Sequence, residues 1–185
     1  MGSGLGRMRS MRTPPLRRWP GPVWLDDRRR LVCGTPVHEL HPMAVHLPIG
    51  LVLVYPWLEL AAAVSRRKSV WVVALSLLGV AVLGSMFASA TGEAAYEHAE
   101  SRGFSHALLE THEEWSEMVP WLLLGVLGLR LWAAFKVAWG PWLGFGLGLA
   151  ATGFIVQVGL TGGNLTYGHG VGVDGVVPSA ESPES

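Results

Sequence analysis

Four long apolar runs, separated by polar segments, dominate the pattern of the chain. They cover residues 43–64, 70–91, 118–138 and 143–161 and consist largely of Val, Leu, Ala, Gly and Trp. A helix that crosses the ~30 Å hydrocarbon core of a bilayer needs about 20 apolar residues, so each run is long enough to span. The pattern predicts an all-α integral membrane protein, built as an antiparallel bundle of four transmembrane helices in contact with the lipid bilayer.

The polar segments differ between the two ends of this bundle. Short turns at residues 65–69 and at Gly140-Pro141 form one end, while the acidic segment 92–117 lies at the other. Pro48 and Pro56 fall inside the first run and should kink it, because proline has no backbone N–H to donate. Glycines at positions 144, 148, 153 and 159 thin one side of the fourth run, which favours close helix packing or contact with a flat cofactor.

Two segments flank the predicted bundle, which extends over residues 41–161. Residues 1–40 are rich in Arg and Pro, with eight arginines between Arg7 and Arg30, and are expected to form an extended arm. That arm is either solvated or a contact for anionic lipid or an acidic subunit. Residues 162–185 are expected to form a Gly-rich irregular tail with a disordered end.

The composition excludes several classes of function and does not by itself assign one. Only 15% of the residues are charged, against roughly a quarter in soluble domains. The 14 Lys+Arg balance 14 Asp+Glu, which gives no indication of a nucleic-acid partner. Cys33 is the single cysteine, so no intrachain disulfide, CxxC zinc pair or CxxCH haem attachment can form. The chain has no nucleophile elbow, P-loop or dinucleotide fingerprint, and we expect no catalytic activity of its own.

All histidines fall at the end of the predicted bundle that carries the acidic segment. His46 and His112 lie within about two turns of a membrane boundary, on helices that a bundle can place face to face. Two imidazoles from facing helices can hold a b-type haem, each as one axial ligand. The sequence predicts a haem b site at His46 and His112, with His41 as a further candidate.

Other interpretations of these residues remain open. Glu113 or Glu110 would accept the second N–H of a ligand histidine, as metal-bound imidazoles usually require. Alternatively, His46, His112 and Glu113 would bind a divalent metal ion directly. The histidines would otherwise be interfacial residues that cap helices and bond to carbonyl groups.

Two charged residues, Glu59 and Arg130, lie well inside the apolar runs, whereas Lys136 lies near the end of the third run. Glu59 and Arg130 sit at depths of ~7 Å and ~12 Å from the short-turn end, close enough for their side chains to meet. We expect a structural ion pair between the first and third helices. A proton site or a quinone-headgroup site is the alternative.

Several motifs resemble one known family. His41-Pro42-x-x-Val45-His46-x-Pro48, Thr91-Gly92-x-x-Ala95, His112-Glu113 and the Gly-rich ending near Tyr167-x-His169 are similar to the bacterial four-helix membrane proteins catalogued as domain of unknown function 2231. The resemblance covers about residues 41–173. It implies a bacterial inner-membrane protein, sometimes encoded near respiratory or cytochrome components, with His46, His112 and His41 at the positions of a site.

Orientation follows from the short basic turn that contains Arg66, Arg67 and Lys68. The positive-inside rule places that turn in the cytoplasm and the histidines on the periplasmic face, although the arginines of the arm favour the reverse. The leading functional hypothesis is a cytochrome-like redox subunit with haem b, in a complex with other membrane or cytochrome subunits or with quinone. The alternatives are a structural accessory subunit and a His/Glu metal-binding membrane protein.

Overall fold

The computed structural model describes residues 31–32, 35–173 and 175–176. A minimal antiparallel pairing, in which Leu31 faces Pro36 and Val32 faces Thr35, precedes a series of helices. In chain order the elements are β1 Leu31–Val32, β2 Thr35–Pro36, α1 Val37–Ala44, α2 His46–Ser65, α3 Lys68–Ser101, α4 His106–Lys136, α5 Gly140–Gly163 and a π-helical turn Asn164–Gly168.

The helices confirm the prediction of an all-α membrane protein with four spanning segments. The segments long and apolar enough to cross a membrane are Val37–Ser65, Lys68–Ser101, His106–Lys136 and Gly140–Gly168. The 34 residues of α3 extend about 51 Å at 1.5 Å per residue, well beyond a ~30 Å hydrocarbon core. Since the opposite end holds only short turns, α3 and α4 extend out of the bilayer at the end that carries the histidines.

Helical structure begins earlier than the apolar pattern indicated. α1 starts at Val37, inside the range assigned to the extended arm, and Glu39 in its first turn complements the positive end of the helix dipole. The helix is interrupted at Val45, three residues before Pro48, whose ring nitrogen cannot donate a hydrogen bond. Pro56 lies inside α2 without ending it.

Helical structure also continues into the range assigned to the Gly-rich tail. α5 ends at Gly163, and the π-helical turn follows it directly. Leu165 in this turn is buried against Phe104 and Leu109, in a small apolar cluster outside the main core. This contact fixes a segment that its composition alone predicts to be irregular. Most of the arm and the last residues of the tail lie outside the described residues.

The main core lies between four helices that alternate around the bundle. α2 and α4 each pack against both α3 and α5, and α1 packs against α3. The buried side chains of this core come from all four helices and include Val52, Tyr55, Ala74, Leu78, Ala81, Leu123, Ala151 and Ile155.

The bundle has two halves, α2–α3 and α4–α5, which share one pattern of buried positions. Buried residues of α2 recur 71 positions later in α4, as the pairs Pro48 and Val119, Val52 and Leu123, Tyr55 and Val126, Glu59 and Arg130, Ala62 and Ala133. Buried residues of α3 recur 70 positions later in α5, as the pairs Ala74 and Gly144, Leu78 and Gly148, Ala81 and Ala151, Ser85 and Ile155. With the alternating contacts, this register makes α2–α3 and α4–α5 two equivalent helix pairs.

Glycines permit close approach at only part of the predicted stripe on α5. A Cβ at Gly144 would lie 2.5 Å from Cδ of Glu59, and one at Gly148 would lie 2.9 Å from a side-chain atom of α2. Nothing lies within 4 Å of a Cβ built at Gly153 or Gly159. The first two glycines therefore bring α5 against α2, whereas the other two face away from the core.

Candidate functional site

A buried ion pair joins the two halves near the short turns. Arg130 Nε donates to Glu59 Oε1 at 2.7 Å, and Nη2 donates to Oε2 at 3.0 Å. The two side chains are 1% and 0% exposed. The hydroxyl of Tyr55 donates to the same Oε1 at 3.1 Å, and the guanidinium carbon lies 5.8 Å from the ring centroid of Trp71. Such a two-point contact sets the register of α2 against α4.

His41 lies at the other end of the bundle, half-buried on α1. Its Nδ1–H donates to the carbonyl of Ala88 on α3 at 3.0 Å. Thr91 Oγ1 lies 3.5 Å from the same nitrogen and itself donates to the Ala88 carbonyl at 2.9 Å. The ring lies against Gly92, where a Cβ would be 3.0 Å from Cε1. Since a carbonyl only accepts, the proton of the neutral ring is on Nδ1 and the lone pair is on Nε2.

His112 on α4 has closely similar surroundings. Its Nδ1 is 2.9 Å from Thr161 Oγ1 on α5. That hydroxyl donates its single proton to the Val158 carbonyl at 2.9 Å, so it accepts from the Nδ1–H of the histidine. The ring lies against Gly162, where a Cβ would be 2.9 Å from Cε1. The lone pair of the neutral ring is again on Nε2.

These two histidines occupy equivalent positions in the two halves. His112 follows His41 by the same 71 residues that separate the buried positions of α2 and α4. Each is 18 residues from its half's member of the ion pair, or about 27 Å along a helix. The fold thus brings one anchored imidazole from each half to the same end of the bundle.

His46, predicted as the partner of His112, does not take part in this arrangement. It is exposed, and its Nδ1–H donates to the Pro42 carbonyl of its own helical turn. The position 71 residues later is Glu117, which is also exposed. This face of the helix points outward in both halves, whereas His41 and His112 are each half-buried against a neighbouring helix.

His112 does not bond to either of the two carboxylates that were predicted as its partners. Its N–H donates to a threonine, while Glu110 is exposed and Glu113 only partly buried. Among the described residues, no group of three or more His, Cys, Asp or Glu is placed to hold a metal ion. The set His46, His112 and Glu113 is therefore not assembled in this part of the chain.

Three of the remaining histidines at this end connect helices to one another. The rings of His38 on α1 and His98 on α3 stack with centroids 3.9 Å apart and planes 8° from parallel. His106 on α4 bonds to the hydroxyl of Tyr96 on α3. His169, after the π-helical turn, is exposed.

A cleft of about 240 Å³ opens beside His112, between α4 and α5. It lies where the π-helical turn begins. Its lining mixes polar and apolar side chains: Leu108, Thr111, Thr161, Asn164 and Leu165. His112 therefore borders a small cleft on the outer side of α4 and α5.

Four residues that shape the site were not predicted as site residues. Thr91, Gly92, Thr161 and Gly162 hold the two rings against α3 and α5. The signal in the sequence is a Thr-Gly dipeptide near the end of both the second and the fourth apolar runs, 70 residues apart.

The family model described as "Predicted membrane protein (DUF2231)" matches residues 37–175. The chain belongs to this family. The matched residues of this DUF2231 member include all four spanning segments, the ion pair and both anchored histidines. No curated protein and no solved structure matches the chain. Membership of DUF2231 establishes a membrane protein, and any finer function has to be argued from the site.

Proposed function

We propose that this DUF2231 protein is a membrane-embedded, cytochrome-like redox subunit in which His41 and His112 would hold a b-type haem. One observation carries the proposal. Two half-buried imidazoles, one from each equivalent half, have Nδ1 engaged in a hydrogen bond and Nε2 left to bind iron. Metal-bound histidines typically donate the other ring N–H to a carboxylate, a backbone carbonyl or a water molecule. Here the acceptors are the Ala88 carbonyl and the Thr161 hydroxyl.

The chemistry of the donors supports haem over a free divalent ion. Two neutral imidazoles complete the coordination of a haem iron, whose other four ligands belong to the porphyrin. A free ion needs further protein ligands, and no group of three or more candidate side chains comes together in the described residues. Haem would supply one-electron transfer. The chain itself would supply the two nitrogens, their fixed orientation and the apolar bundle on one side.

The location of the site supports a role in electron exchange with a partner. His41 and His112 lie where α3 and α4 leave the apolar core, next to the exposed glutamates of segment 92–117. We infer that electrons pass at this end to or from another membrane or cytochrome subunit, or a quinone, at the periplasmic face of a bacterial inner membrane. No catalytic step is assigned to the chain.

The proposal is tested on the full chain purified from membranes in a mild detergent. Absorption spectra of the oxidised and the dithionite-reduced protein, together with iron content, should show a haem b spectrum after purification or after addition of haem. His41→Ala and His112→Ala should each remove the six-coordinate spectrum, while the exposed His46→Ala should retain it.

Two results would overturn the proposal. One is a protein without a Soret band after haem addition, in which case the bundle is a scaffold or, if elemental analysis finds a stoichiometric metal, a metal-binding protein. The other is a spectrum that depends on His46 as strongly as on His41 and His112.

A further inference from the structure

The surroundings of the two anchored histidines contain the same kinds of group in the two halves. In each half, a threonine hydroxyl bonds to the carbonyl three residues earlier in its helix, and the histidine Nδ1–H points at that hydroxyl–carbonyl pair. The threonine is followed by a glycine over which the imidazole lies. The acceptor carbonyls belong to Ala88 and Val158, which are themselves 70 residues apart.

We propose that Thr91-Gly92 and Thr161-Gly162 are a duplicated positioning element, which holds His41 and His112 in the Nδ1–H tautomer and orients each Nε2 toward one shared ligand. The purpose of this element depends on the proposed function, because haem ligation requires an Nε2 lone pair in a fixed direction. The element would hold the two histidines in the Nδ1–H tautomer, as a tautomer lock, whether or not haem is bound. These residues touch the histidines and not the ligand, so they act by positioning.

The two halves differ in which acceptor lies nearest to the histidine Nδ1–H. His41 reaches the Ala88 carbonyl directly at 3.0 Å, with Thr91 only 3.5 Å away. His112 donates to the Thr161 hydroxyl at 2.9 Å, and the Val158 carbonyl is a second acceptor beside the same ring. Removal of the Thr161 hydroxyl should therefore take away the acceptor at 2.9 Å and loosen the His112 tautomer, whereas removal of the Thr91 hydroxyl should leave His41 held by the carbonyl at 3.0 Å.

The glycines of the element make no hydrogen bond to the histidines and instead leave room for the imidazole rings. A Cβ at Gly92 or Gly162 would lie 3.0 Å or 2.9 Å from an imidazole carbon, closer than ordinary van der Waals contact. An alanine at either position should push the ring off the helix. The neighbouring Gly163 has nothing within 4 Å of an added Cβ and provides a matched control.

The direct test uses nuclear magnetic resonance of isotope-labelled histidine in the full chain without cofactor. Nitrogen shifts distinguish Nδ1–H from Nε2–H imidazoles, and histidine-to-glutamine variants assign the signals. The wild type should show His41 and His112 as Nδ1–H tautomers. Thr161→Val should convert His112 to a mixture, Thr91→Val should change His41 little, and the exposed Thr166→Val should change neither.

A second measurement connects the element to the ligand. Substitution of a group that orients a metal-bound histidine typically weakens affinity by 10–100-fold. Thr161→Val and Gly162→Ala should each weaken haem binding by about that factor, with Gly163→Ala unchanged. Tautomers that are unaffected by Thr161→Val would overturn the positioning element. An intact tautomer lock in a protein that never binds haem would instead overturn the proposed function alone.

Discussion

The ion pair between Glu59 and Arg130 allows the strongest prediction about the stability of the bundle. Arg130→Met removes both hydrogen bonds to Glu59 and leaves a carboxylate that is 0% exposed with only Tyr55 as a donor. At an effective dielectric of about 20, opposite charges ~4 Å apart attract by about 4 kcal/mol. The desolvation of each ion costs several kcal/mol, so the intact pair is close to neutral, but the isolated carboxylate has nothing to offset its burial.

The single substitution should therefore cost about 3–5 kcal/mol, as is typical when one member of a buried pair is removed. For a protein of this size, that corresponds to a decrease of roughly 6–20 °C in Tm. The double variant Glu59→Leu/Arg130→Met removes both charges and should lose much less than the sum of the two single variants. The reversed pair Glu59→Arg/Arg130→Glu should recover part of the stability, because the two residues occupy equivalent positions in the two halves.

Thermal stability in detergent, followed as the fraction that stays monodisperse on size exclusion, measures these effects. Lys136→Met serves as the control, since Lys136 is exposed in the last turn of the same helix. The reasoning would be refuted by an Arg130→Met protein as stable as the Lys136→Met control. Strict additivity of the double variant would refute the coupling between the two charges.

Three further outcomes follow from the fold. Gly144→Ala should lower Tm because its Cβ would meet the ion pair, whereas Gly146→Ala, with nothing within 4 Å, should leave Tm unchanged or slightly higher; equal Tm values would contradict the packing. Leu123→Ala should cost about 2–5 kcal/mol by opening a core cavity, and the same change at the exposed Leu124, measured in the same melt, should cost clearly less. A compartment-sensitive reporter fused after Ser185 should report a periplasmic location, and a cytoplasmic signal would reverse the proposed orientation.

The four-helix fold could be predicted from the sequence because a bilayer imposes a simple length requirement on apolar runs. The depths of Glu59 and Arg130 could be read in the same way, and the structure places them in direct contact. Both inferences depend only on position along a helix axis. Neither depends on the direction in which a side chain points around that axis.

Which histidine is half-buried and which is exposed depends on that direction, and the sequence did not determine it. His41 and His46 are five residues apart, so the rotation of the helix places them on different faces. The apolar runs carried little directional signal, since a membrane helix is apolar on its lipid side as well. The partners of the histidines were also hidden, because a carbonyl acceptor such as that of Ala88 has no signature in a side-chain pattern.

The repeat offers a signal that would have resolved the ambiguity. Alignment of Glu59 with Arg130 also aligns His41 with His112, while His46 aligns with Glu117. A search for equivalent positions in the two halves selects the histidine pair that the structure brings to one end of the bundle.

We propose that His41 and His112 bind one iron together, and electron paramagnetic resonance of the ferric, haem-loaded chain can decide this. With isotope-labelled histidine, the wild type should give a low-spin spectrum with hyperfine coupling to two imidazole nitrogens, and His112→Ala should leave one. A high-spin wild-type spectrum, or two couplings that survive the loss of His112, would show that the two histidines do not share an iron.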